Sequence, residues 1–185
     1  MTIQETATPI HWNYFLALEE DVAHLARFLE LTTANFSSYS IELGRMLFAA
    51  ASEIDVVAKQ YCRKLNADSK AKNIANYKAE IMERHPAFHT IKVHMPRFGL
   101  TLDPWVNWGG NNQPLWWRAY NNVKHERHAY FSEANLKNAL NAVAALYVLL
   151  IFFLPGGSRS WKAQPKSAAV PCWRALCSRH TLLGP

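Results

Sequence analysis

The stretch Ser132–Leu154, SEANLKNALNAVAALYVLLIFFL, is the most apolar part of the chain and decides its fold. Ser132 is a good N-cap residue, and Phe131 and Leu136 occupy the positions that pack together at a helix start. Leu146 and Leu149 extend the apolar character to the other faces of the helix. Its main stripe steps at helical spacing through Leu136, Leu140, Val143, Tyr147, Leu150 and Leu154. The sequence therefore predicts a helix over 132–154 that is surrounded on most sides, either at the centre of the bundle or shared with a second subunit.

The same helix raises the question of a membrane span. Its uninterrupted apolar run, from Ala142 to Leu154, is shorter than the roughly 17–25 residues that cross a bilayer. The N-terminal residues lack the pattern of a signal peptide. The three cysteines, Cys62, Cys172 and Cys177, do not form a disulfide framework. We therefore predict a cytoplasmic protein, in a reducing compartment, without a membrane span.

Three further segments show helical periodicity. Apolar residues at steps of three and four predict helices near 10–31, 38–65 and 71–84, the first with a core stripe that includes Tyr14. The third ends at His85–Pro86, because a residue before proline is pushed out of helical geometry. Strong stripes joined by short linkers predict an all-α protein, an antiparallel bundle of about four core helices.

The period changes between residues 88 and 112. β-Branched residues and a Pro96…Gly99 turn signal predict a small β-hairpin or irregular insertion before the last helices. Four tryptophans follow within thirteen positions: Trp105, Trp108, Trp116 and Trp117. A hydrophobic plug that seals the insertion onto the bundle is the favoured interpretation, and a stacking platform for bases or sugars is the alternative.

Composition and charge define the domain organisation. With 185 residues, half of them hydrophobic, the chain can bury one core, so residues 1–155 are predicted to form one domain. Residues 156–185 lose helical periodicity, and we predict a disordered basic tail.

Apart from that tail, acidic and basic side chains concentrate in different parts of the chain. Residues 1–56 carry eight acidic and two basic side chains. Residues 57–137 carry six acidic and thirteen basic ones. A basic region concentrates phosphates, although scattered solvated lysines are the commoner explanation.

Candidate site residues lie in PLWWRAYNNVKHERHAYF, residues 114–131. On a helix over 115–127, Arg118 and His125 are two turns apart and share a face. Arginine offers a fixed fork of donors for phosphate, and histidine exchanges a proton near neutral pH. The surrounding polar and basic residues are Asn121, Asn122, Lys124, Arg127 and His128. This pattern has two interpretations. A structural polar cluster that caps the bundle is the commoner explanation, and a phosphate-directed site is the alternative.

A helical bundle with an arginine, six residues and a histidine before its last core helix resembles the HEPN superfamily, whose signature is Arg, four to six residues, then His. The resemblance implies a homodimer whose two motifs meet and cut RNA without a metal or cofactor, often as a toxin or defence effector. It also implies that Arg118 holds the scissile phosphate and His125 moves the proton. Asn121, Asn122, Lys124, Arg127 and His128 would then bind the phosphate or the RNA.

A second function remains open at this point. Many HEPN-like domains are not nucleases. The chain could instead be a non-catalytic helical module of a toxin–antitoxin or defence system, which binds a nucleotide, RNA or a protein partner and dimerises through its last helix.

Overall fold

A computed structural model describes residues 9–154, so the predicted domain boundary at 155 and the predicted tail 156–185 lie outside the described residues. The chain is mostly α-helical, as predicted, and this part contains five α-helices rather than about four. They are α1 (Ile10–Leu25), α2 (Ile41–Leu65), α3 (Ile74–Arg84), α4 (Leu115–Tyr130) and α5 (Leu136–Phe153). Two short strands, β1 (Val93–Met95) and β2 (Leu100–Leu102), pair antiparallel between α3 and α4.

Helix α5 is the centre of the fold. It packs against α1, α2, α4 and β2, and its longest contact is with α2. The prediction of a helix surrounded on most sides is therefore confirmed. By length and composition α5 could cross a membrane, with 18 residues and a mean hydropathy of 1.8, but 72% of it is buried within the fold. The described residues thus show no clear membrane span.

The start of α5 differs from the prediction. Asn135, and not Ser132, is the N-cap, and its side chain accepts a hydrogen bond of 3.0 Å from the backbone N–H of Asn138. Residues Phe131–Glu133 form a separate 3-10 turn instead. The reason is tertiary, because Asn135 forms an antiparallel bridge with Tyr39 that holds its backbone extended.

The face that helix α1 presents to the core differs from the prediction at one position. Tyr14 is 41% exposed, whereas the buried positions are His11, Phe15, Leu18, Glu19 and Val22. Phe15 stacks on Tyr147 of α5, with 5.1 Å between ring centroids. Leu18 and Val22 are buried at helical spacing and Leu25 packs partly buried against the core, so the predicted stripe is confirmed except at Tyr14.

At three other boundaries the predicted helix extends further than the observed one. Helix α1 ends at Leu25 rather than near 31, and α2 begins after residue 40 rather than near 38. Helix α3 begins after residue 73 rather than near 71. In the last two cases a polar cap sets the start, because the side chains of Ser40 and Asn73 accept hydrogen bonds from backbone N–H groups of the first turn.

The insertion is sealed onto the bundle by tryptophans, as favoured above. Trp105, Trp108 and Trp116 are at most 2% exposed, and the first two rings lie 4.2 Å apart between centroids. The indole N–H of Trp105 donates to the carbonyl of Ala145 in α5 at 3.3 Å. Because these rings are buried, the alternative of a stacking platform is wrong. The hairpin turns at Gly99, whose φ of 62° suits glycine.

Buried tyrosine and cysteine side chains of α2 and α3 make the stability of the fold decrease at alkaline pH. Burial raises the pKa of Tyr61 to about 12, and burial with the nearby Glu80 carboxylate raises the pKa of Cys62 to about 12. Burial and the hydrogen bond to Asp55 also raise the pKa of Tyr77. A group whose pKa is higher in the folded state contributes stability below its unfolded-state pKa and loses that contribution as pH rises.

We therefore expect the free energy of unfolding to be steady to about pH 8.5 and to fall between about pH 9 and pH 12. Urea denaturation at a series of pH values measures it. Cys62→Ala removes one of the titrating groups and should make the decline shallower. A free energy of unfolding that stays flat across this interval would contradict the prediction.

Candidate functional site

Helix α4 has one buried and one exposed side. Trp116, Ala119, Tyr120 and Val123 are buried, and the helix packs against α2 and α5. Trp117 is buried as well, so the side of α4 that carries Trp117, Tyr120 and Val123 is its packing side. The opposite side faces solvent, and it carries the residues of the predicted motif.

Arg118 and His125 lie on this exposed side. Both are exposed, and within residues 9–154 neither forms a hydrogen bond or an ion pair. Seven residues correspond to about 10 Å along a helix axis, so the two side chains share a side of α4 without contacting each other. The guanidinium and the imidazole are therefore both available to a ligand, and a bound phosphodiester could contact both.

The helix changes direction directly after His125. Glu126 has non-helical backbone angles, φ −138° and ψ 53°, so Arg127 and His128 belong to a second segment of α4. Arg127 lies over the ring of Phe131, 4.7 Å from its centroid. The two residues are exposed, but they do not continue the helical face of Arg118 and His125. Lys124 precedes the kink and lies 5.4 Å from the ring centroid of Tyr120.

The two predicted asparagines have different partners. Asn121 donates from Nδ2 to the carbonyl of Trp117 in its own helix at 2.9 Å, so it is not bonded to either motif residue. Asn122 donates from Nδ2 to Oε2 of Glu133 at 3.0 Å. The carbonyl of Glu133 in turn accepts from Nδ2 of Asn138 in α5 at 2.9 Å. Glu133, which the sequence did not single out, thus joins the exposed side of α4 to α5.

A polar cleft lies at the N-terminal end of the same side of α4. Its volume is about 300 Å³, and it is bounded by the end of β2 with the turn after it, the start of α4 and the first turns of α5. Leu115, which lies one turn before Arg118, forms part of its wall. Its polar lining comes from Thr101, Asp103, Asn107, Lys137, Asn138 and Asn141. The cleft could not be predicted from the sequence, because its residues come from four separate segments.

A second polar cluster that the sequence did not reveal lies between α1 and α2. His11 is 8% exposed, and its Nδ1 lies 2.5 Å from Oε1 of Glu53, while its Nε2 lies 3.2 Å from Oε1 of Gln60. One sequence feature could have indicated that His11 is buried. His11 lies four residues before Phe15, and both belong to the buried stripe of α1. Asp55 accepts a hydrogen bond from Tyr77. Glu53 and Asp55 therefore stabilise helix packing, and no hydrogen bond joins them to the motif on α4.

Each histidine around the insertion forms a hydrogen bond with a different group. His85 bonds Tyr61 at 2.6 Å, His89 bonds the carbonyl of Pro86 and His94 bonds Thr101. Within residues 9–154 no group of three or more His, Cys, Asp or Glu side chains is placed to hold a metal ion.

Comparison with known proteins adds no relative. A scan against protein-family models and searches of curated proteins and of solved structures find no match to this chain. The site must therefore be interpreted from its own chemistry.

Proposed function

We propose that this protein is a metal-independent endoribonuclease of the HEPN-like toxin or defence type, which acts in the cytoplasm through the exposed side of α4. The observation that carries the proposal is that Arg118 and His125 share this side, exposed and without partners in the described chain. Side chains held in a structural cap would instead be bonded to it. The exposed Lys124 adds positive potential next to them.

The chemistry follows from the two groups. Arg118 binds the non-bridging oxygens of the scissile phosphate and stabilises the charge that develops there. The ribose 2′-oxygen attacks phosphorus while the bond from phosphorus to the 5′-oxygen breaks. The 2′-hydroxyl loses its proton, and the 5′-oxygen gains one. His125 takes the proton from the 2′-hydroxyl and passes it to the leaving 5′-oxygen, and the products are a 2′,3′-cyclic phosphate and a 5′-hydroxyl.

Assembly into a homodimer is part of the proposal, but through a different surface than α5. That helix is covered by its own chain. An apolar groove of about 180 Å³ lies instead between the start of α2 and the end of α4, lined by Ile41, Gly44, Arg45, Phe48, Val123, Arg127 and Phe131. Ile41 is 64% exposed and the neighbouring Tyr39 is 55% exposed. A second copy that covers this groove would bring two α4 helices together.

The same groove favours the second candidate function, a non-catalytic interaction module with a protein partner. Exposed apolar residues beside a groove are typical of a protein contact. In that case the groove, and not Arg118 or His125, would be the functional surface.

A mixed RNA pool incubated with the purified protein distinguishes the two functions. We expect cleavage that persists in EDTA, with 5′-hydroxyl and 2′,3′-cyclic phosphate ends identified by end-labelling and mass spectrometry. Cleavage that stops in EDTA would contradict the mechanism. A protein that neither binds nor cuts the RNA would remove the nuclease and leave the interaction module.

A further inference from the structure

The cleft at the start of α4 lies one helical turn from the motif. Leu115, Arg118, Asn122 and His125 follow one another at steps of three, four and three residues, which keeps them on one side of the helix. Leu115 lines the cleft, and side chains three residues apart on a helix are about 5–6 Å apart at Cβ. A ligand group in the cleft would therefore be next to a group bound by Arg118.

Hydrogen bonds fix the cleft relative to the motif. Asn122 on the α4 side and Asn138 in the cleft wall both bond Glu133, one through its carboxylate and the other through its carbonyl. The cleft and the motif are thus held at a set spacing by contacts between α4 and α5. This favours one ligand that contacts both places.

The polar lining of the cleft has a defined donor and acceptor pattern. Asn138 uses Nδ2 to bond the Glu133 carbonyl, and Asn141 uses Nδ2 to bond the Lys137 carbonyl at 2.8 Å. Each amide nitrogen gives one of its hydrogens to the backbone, and within residues 9–154 neither Oδ1 accepts a hydrogen bond, so each side chain offers an acceptor. The Asp103 carboxylate adds acceptor oxygens, although it also pairs with Lys92 at 3.3 Å. Lys137 supplies a donor.

The rest of the lining is apolar. Val106 is 54% exposed and Leu115 is 40% exposed, and Phe36, Pro104 and Trp116 complete the wall. A volume of about 300 Å³ lies at the lower end for ligand sites, which suits one small ring system. The ligand must combine apolar faces with an edge that donates to amide oxygens and accepts from an ammonium group.

We propose that this cleft binds a nucleobase with an exocyclic amino group, next to a phosphate held by Arg118. The amino group donates to Oδ1 of Asn138 and Asn141, and a ring nitrogen or carbonyl accepts from Lys137. The inference deepens the proposed function and rests on it for the identity of the substrate as RNA. It adds a preference for adenine, cytosine or guanine over uracil at one position of the strand.

The sharpest test compares AMP with IMP, which replaces the amino group at C6 of the purine by a carbonyl. Titrations of the full chain, followed by amide NMR, give both affinities without any need for cleavage. We expect AMP to bind about tenfold more tightly than IMP, the value of about one hydrogen bond. CMP should likewise bind more tightly than UMP.

Variants assign the effect to the cleft. Asn141→Ala should remove most of the preference for AMP over IMP, whereas Asn13→Ala, on the exposed part of α1, should keep it. Arg118→Ala should weaken AMP and IMP equally and leave their ratio unchanged. Equal affinities for AMP and IMP, binding of neither, or a preference that survives Asn141→Ala would each overturn the inference. RNA that stays intact while the AMP preference follows Asn141 would support the cleft and reject the nuclease.

Discussion

Replacing His125 with alanine is expected to abolish RNA cleavage while RNA binding and the melting temperature stay nearly unchanged. The imidazole is exposed and without a partner in the described chain, so its loss removes a proton carrier without opening a cavity or leaving a polar group unpaired. Loss of a general acid or base lowers a rate by about 10²–10⁴-fold. Single-turnover cleavage, RNA binding by fluorescence anisotropy and thermal unfolding measure the three quantities.

Two other substitutions make this result specific. Arg118→Ala should weaken both cleavage and binding, because it removes the fork of donors that holds the phosphate. His24→Ala replaces another exposed histidine, on α1, and should leave cleavage intact. If His125→Ala cuts RNA at the wild-type rate, the imidazole is not the proton carrier. If His125→Ala or Arg118→Ala lowers the melting temperature substantially, the motif is structural.

The largest loss of stability is expected for Trp105→Ala. The side chain is fully buried, packs against Trp108, Trp116 and Phe88, and donates to the Ala145 carbonyl. Replacing a buried tryptophan by alanine costs about 3–5 kcal/mol. That is a large share of the roughly 5–15 kcal/mol that stabilises a typical domain. Urea denaturation measures the change in the free energy of unfolding.

Trp105→Phe provides a milder version if the alanine variant does not fold, since it keeps an aromatic ring and loses the hydrogen bond to Ala145. Val106→Ala is the matched control, because it changes the next residue, which is 54% exposed, and should have little effect. A Trp105→Phe variant as stable as Val106→Ala would show that the insertion does not depend on this contact.

The helices could be predicted from the sequence where one face is distinctly apolar. Ile74, Tyr77 and Ile81 of α3 are buried as their spacing predicts. In helix α1 the spacing placed Leu18 and Val22 correctly in the core but not Tyr14. The cause is that Tyr14, Phe15, Leu16 and Leu18 place apolar residues around most of its surface. Only the contact with α5 shows which side is buried. The N-cap of α5 was ambiguous for a related reason, because serine and asparagine both suit that position and a distant bridge to Tyr39 favours Asn135.

The candidate site likewise has a part that could be predicted from the sequence and a part that could not. Arg118 and His125 belong to one helix, so the spacing in the sequence was enough to place them on one side. The cleft brings residues 101–107 together with residues near 115 and 137–141, and His11 meets Glu53 from 42 positions away. Contacts between such distant segments depend on how the helices pack, which local periodicity does not contain.

The position of the insertion along the chain also matters for folding during synthesis. Synthesis runs from the N-terminus, so α1, α2 and residues 88–112 are produced before α5, the helix that they cover. When this 18-residue apolar segment leaves the ribosome, the surfaces that bury it are already present in the nascent chain. The reverse order would leave a segment with the hydropathy of a membrane helix exposed to chaperones, to targeting factors and to other nascent chains.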